Sequence, residues 1–118
     1  MIRIILIMLA VLAPMACSGP TVCDAFAGPG LGLVVRDSVS GIGLASRALA
    51  VAHDGSYADT LLRAASDSQM WGAYERPSTY SLDVSAPGYL NWHREGIRVS
   101  AGECHVTPTG VRALLNPQ

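Results

Sequence analysis

The sequence contains no lysine. All eight basic residues are arginine, and nine carboxylates set the formal charge at −1 with a pI of about 6.2. Without a basic stripe to neutralise phosphates, no nucleic-acid partner is expected. Charged residues are sparse at 14%, against roughly 25% in an average globular domain. No apolar run reaches the ~20 residues that a spanning helix needs. Cys-x-x-Cys and His-x-x-x-His are both missing, so the spacings of common metal sites are not met. A chain of 118 residues suits one domain.

What is present begins with MIRIILIMLAVLAPMA (1–16), an arginine followed by an apolar run that Pro14 ends. That length and order are expected of an export signal rather than of a membrane span. Cys17 directly follows Ala16, as at a bacterial lipoprotein cleavage site, so Cys17 is the expected lipidation residue. Ordinary cleavage after Ser18, or after Ala27 in AFA, stays open. The cysteine count bears on the choice. There are three, Cys17, Cys23 and Cys104, and exported proteins usually pair theirs. Lipidation of Cys17 leaves Cys23 and Cys104 as a pair, and so does cleavage after Ser18. Cleavage after Ala27 would orphan Cys104. A Cys23–Cys104 disulfide is therefore expected.

Residues 17–30 are rich in Gly, Pro and small side chains and are expected to form a tether. From 31 onward the hydrophobic period becomes two, the signature of β-strands. LGLVV (31–35) alternates around Gly32. RALAVAHD (47–54) puts Leu49 and Val51 on one face with alanines between. Asp-Gly at 54–55 signals a tight hairpin turn, and YADTLLRA (57–64) is expected to return antiparallel. Leu61, Leu62 and Ala65 also fit helical spacing, but strand is the reading adopted. WGAYE (71–75) is a fourth strand before Pro77. YSLDVSA (80–86) is the clearest: Tyr80, Leu82, Val84 and Ala86 share one face, while Ser81, Asp83 and Ser85 share the other. Pro87-Gly88 turns it. GIRVS (96–100) and GVRALL (110–115) complete an expected seven-stranded all-β sandwich over 31–118.

The stretch RPSTYSLDVSAPGY resembles the hallmark of carboxypeptidase regulatory-like domains, which are small transthyretin-like (prealbumin-like) Greek-key sandwiches. GLVVRDSVSGIGLASRALAVAHDGSY looks like that family's first two strands and their loop. The resemblance implies a scaffold and is nearly silent on function. In Greek-key sandwiches a tyrosine near a strand start can cap a corner, its hydroxyl bonding nearby backbone. Tyr80 is placed for that role, and Tyr89 for packing over the turn.

Chemistry is thinly signalled. Gly28, Gly30 and Gly32 in GPGLG lead into a strand rather than from a strand to a helix, so they do not read as a phosphate loop. His53, His93, His105 and Cys104 share no ligand spacing, and no metal or cofactor is expected. Neither a nucleophile elbow nor the Tyr-Arg-Gly-Ser terminus of the transthyretin-like purine-pathway hydrolases is present. The expectation is a non-enzymatic domain of a bacterial cell envelope, lipid-anchored (alternatively periplasmic or secreted), with a structural or protein-interaction role. Other envelope proteins are its expected partners. The alternative is a carbohydrate- or small-ligand-binding module. Trp71, Tyr74, Tyr89 and Trp92 are many aromatics for one short region. Tyr89 and Trp92 are the candidate ligand-binding pair, rimmed by Asn91, His93, Arg94 and Glu95.

Overall fold

A computed structural model describes residues 22–118. The expected signal peptide (1–16) and the lipidation position Cys17 lie outside the described residues. The described chain has no helix and forms two sheets. One is four-stranded, in the order β4 (Leu62–Arg63), β5 (Gln69–Gly72), β1 (Leu31–Asp37), β9 (Thr109–Leu115). The other is five-stranded: β3 (Tyr57–Thr60), β2 (Leu49–Asp54), β6 (Ser78–Ser85), β7 (Trp92–Ala101), β8 (Val106–Thr107). All pairings are antiparallel except β1 with β9, which run parallel.

The two sheets share one apolar core, as in a sandwich. β1 contributes Leu31, Leu33 and Val35, while β9 contributes Val111, Ala113 and Leu115. From the other sheet come Ala50, Ala52, Tyr80, Leu82, Val84, Ile97 and Val99. Period-two alternation produces this directly, since successive side chains leave opposite faces of a strand. β6 follows the expected phase, with Tyr80, Leu82, Val84 and Ala86 all buried. The turn after it is a type II turn. Tyr89 N–H donates to Ala86 O, and Gly88 sits at φ +84, where a side chain would be strained.

Several elements differ from the sequence expectation. The segment 57–64 is not one strand. Leu61 is buried and donates its N–H to Ala50 O, and the chain crosses there from one sheet to the other, splitting β3 from β4. The strand expected at 71–75 instead spans Gln69–Gly72, because Ala73 and Glu75 adopt φ +52 and +49. A hydrogen bond from Ala73 N–H to Asp59 Oδ2 holds that turn. β7 starts four residues before the expected Gly96, since Trp92–Arg94 also pairs with β6 and the register shifts across Glu95 and Gly96, the latter at φ +70. β8 has two residues and no sequence signal of its own. With β4 and β8 included, the described residues form nine strands where seven were expected.

The described part of the expected tether is fastened to the sandwich. Cys23 and Cys104 form a disulfide with Cα atoms 5.2 Å apart. His105 lies between two carboxylates, its Nε2 bonded to Asp24 and its Nδ1 2.6 Å from Glu75 Oε1. Glu75 also accepts N–H bonds from Gly28 and Val106. Gly30 then enters beside Ala73 so closely that a Cβ would lie 2.5 Å from the Ala73 carbonyl oxygen. Only glycine fits that approach.

Candidate functional site on the five-stranded sheet

The outward face of β2, β6 and β7 gathers residues that are far apart in sequence. On β2 the alanines point inward, opposite Val84 and Leu82 of β6. Small residues fit there because their partners fill the core. Leu49 and Val51 are consequently turned outward, and Leu49 is 54% exposed. Register places Leu49 against Ser85, Val51 against Asp83, and Asp83 against His93. A groove of about 260 Å³ results. Leu49 and Val51 line one side and Asn91, Trp92 and His93 the other, with Asp83, Val84 and Ser85 between them.

Asp83 is the electrostatic centre. His93 Nδ1 donates to its Oδ1 at 2.6 Å, and His53 Nε2 lies 3.4 Å from its Oδ2. His93 Nε2 faces Glu95 at 3.4 Å. The Asp83 hydrogen bond, followed by that of Glu95, pushes the His93 imidazole above its ordinary value of 6.5 and favours the imidazolium. These side chains are about half exposed, so the pairs add little to stability. They present the groove with an imidazole bracketed by carboxylates. Among the described residues no group of three or more His, Cys, Asp or Glu side chains is arranged to hold a metal.

The expected pair Tyr89 and Trp92 is divided between two settings. Trp92 borders the groove as part of β7, half-buried on the core, with the Arg94 guanidinium 5.3 Å from the centre of its ring. Tyr89 is fixed at the end of the sandwich, where it bridges to Pro117 and its hydroxyl donates to Asp37 Oδ2 at 2.6 Å. Its phenol is thus tied into the scaffold. Leu49, Val51, Asp83 and Ser85 entered the sequence reading only as strand-face residues, and His53 only as a histidine without ligand spacing. The alternation of LAVAHD and SLDVS places each on a face, but only the cross-strand register shows that the faces coincide.

The Tyr89–Asp37 bond has a testable signature. Asp37 accepts from Tyr89 and from the Ser40 and Val39 N–H groups, which together hold its carboxyl down from 3.8 to about 2. A lowered folded value contributes stability above the unfolded value, and that contribution is lost as pH falls through the folded value. Tyr89→Phe removes the largest of these causes. The melting-temperature gap between wild type and Tyr89→Phe is therefore expected to be widest near neutrality and to narrow between pH ~4 and ~2. Thermal melts across that range check this; a gap independent of pH would refute it.

A scan of the chain against models of known protein families finds no match, and a search of curated proteins finds no significant one.

Proposed function

We propose that the chain is an exported, non-enzymatic domain of the carboxypeptidase regulatory-like type, a transthyretin-like Greek-key sandwich. In this reading a lipid on Cys17 holds it in a bacterial envelope. Its role is structural or protein-interacting, through the outward face of the five-stranded sheet. The observation that carries the interaction role is the outward placement of Leu49 and Val51 beside Asp83, Ser85, Asn91 and His93 in one groove. Apolar side chains rimmed by polar ones are the usual composition of a contact surface. The disulfide supports export, since cytosolic thiols are kept reduced.

Two measurements test this. The intact mass of protein taken from its native envelope is expected to include acyl chains on Cys17. A lipid-free mass starting beyond Cys17 would make the domain periplasmic or secreted. A photo-crosslinking residue at Ser85 is expected to capture discrete envelope proteins, with capture lost on Leu49→Glu. Equal capture from Ser56, on the distant hairpin turn, would remove the groove from the reading. A second reading, a glycan site beside Trp92, draws support from the same groove. It requires tryptophan quenching by a sugar panel that Trp92→Phe removes.

A further inference from the structure

The outward face of the other sheet carries an unexplained row. Leu62, Trp71, Gly32 and Gly110 are successive partners across β4, β5, β1 and β9. Leu62 is 70% and Trp71 42% exposed. Beyond the indole, this row carries no side chain on β1 or β9. A Cβ on Gly32 would meet only Trp71 Cδ1, at 4.0 Å, and a Cβ on Gly110 would meet nothing within 4 Å. Neither glycine has positive φ. So neither crowding nor backbone conformation requires glycine at these positions, although glycine weakens a strand interior. Glycine in a strand also marks places where another molecule approaches the backbone closely. The two glycines leave a shelf one row deep and roughly 10 Å across, at about 4.8 Å per strand, with the indole along one side and Val34 and Arg112 in the next row.

The charge of this face is one-sided. Arg112 pairs with Val34 in the next row, and Arg36 stands beyond. Arg36 is occupied, donating to Gly41 O at 3.0 Å and Ser68 Oγ at 3.2 Å, whereas Arg112 is exposed. No carboxylate occupies an outward position on these four strands. The glycine floor itself offers no side-chain knobs, and the apolar knobs Leu62, Trp71 and Leu114 stand around it. A flat ring gains from a smooth floor beside an aromatic.

We infer that this shelf binds a carboxylated glycan, a chain containing uronic acid units. The apolar C–H face of one pyranose lies against Trp71 over Gly32, and the carboxylate of a neighbouring unit pairs with Arg112. The inference is independent of the groove on the opposite sheet.

The test uses Trp92→Phe protein, in which Trp71 is the remaining tryptophan. Oligogalacturonate is expected to change Trp71 emission saturably, and a neutral cello-oligosaccharide is not. Arg112→Glu is expected to weaken binding about tenfold or more, the scale of one charge-assisted hydrogen-bonded pair. Gly110→Val fills the shelf and is expected to block binding while leaving the melting temperature unchanged or higher, since valine suits a strand. The proposal is overturned by no saturable change, by equal affinity in Arg112→Glu or Gly110→Val, or by equal response to the neutral sugar. Polyacrylate, a carboxylated chain without rings, binding as tightly as the glycan would also overturn it. So would self-association that Trp71→Ala abolishes with no glycan binding, which would give the face to a second copy. If Trp92→Phe melts early, the same readings come from the difference between wild type and Trp71→Phe.

Discussion

Replacing Cys23 and Cys104 with serine is expected to lower the unfolding free energy by about 4–5 kcal/mol, the loop-entropy value for a crosslink of this span. The bridge joins residues 81 positions apart, so it restricts nearly the whole described chain in the unfolded state. Domains of this size usually have only ~5–15 kcal/mol in total, so the loss is a large share. Urea titration of both proteins checks it, with the shift read at constant slope. The native state should change locally as well. Asp24 and Gly28 reach His105 and Glu75 from a segment whose far end the disulfide holds. In the serine variant that segment is expected to become cleavable by protease while the sheets stay protected. A stability loss under about 1 kcal/mol, far below the entropic value, would show that the unfolded chain is already restricted enough for the crosslink to add little.

How far the sequence carries depends on which questions are local. Alternation in YSLDVSA states which side chains share a face, and the inward phase of Tyr80, Leu82 and Val84 follows because the other face is polar. The same logic is silent for RALAVAHD, where both faces are apolar. There the alanines go inward because Val84 and Leu82 face them across the sheet, a fact held by another strand 30 residues away in sequence. That reversal creates the outward Leu49 and Val51, so the candidate groove was hidden in a register. The polar run before Gly96 reads as loop, yet its backbone pairs with β6. The parallel pairing of β1 with β9 joins the two ends of the domain and leaves no local trace. By contrast the disulfide was legible from parity once Cys17 was read as lipidated or cleaved away, because oxidised cysteines must be even in number whatever the fold. The Trp71 shelf lies between these cases. Its glycines were visible as letters, but their lack of a structural reason appears only once the space above them is known.

Tyr80 is expected to give the second large effect, and two substitutions separate its parts. Its ring is 1% exposed, so Tyr80→Ala should cost about 3–5 kcal/mol, as for other buried aromatics. Its hydroxyl donates to the Arg76 carbonyl oxygen, four residues earlier, at 2.6 Å. Tyr80→Phe keeps the ring and leaves that carbonyl unpaired, with an expected cost of about 1–2 kcal/mol. The hydroxyl is part of a corner that ties the start of β6 to the β2–β3 hairpin. Arg76 donates to Asp54 Oδ2 at 3.0 Å, Ser78 Oγ donates to the same oxygen, and the guanidinium lies 3.7 Å from the centre of the Tyr57 ring. Asp54 and Tyr57 flank the hairpin turn at Gly55. If the corner acts as a unit, Tyr80→Phe and Ser78→Ala together will cost measurably more or less than their sum. Strict additivity, with Tyr80→Phe below about 0.5 kcal/mol, would mean that the Arg76 carbonyl exchanges the phenol for water without loss. Tyr80 would then hold the sandwich by its ring alone.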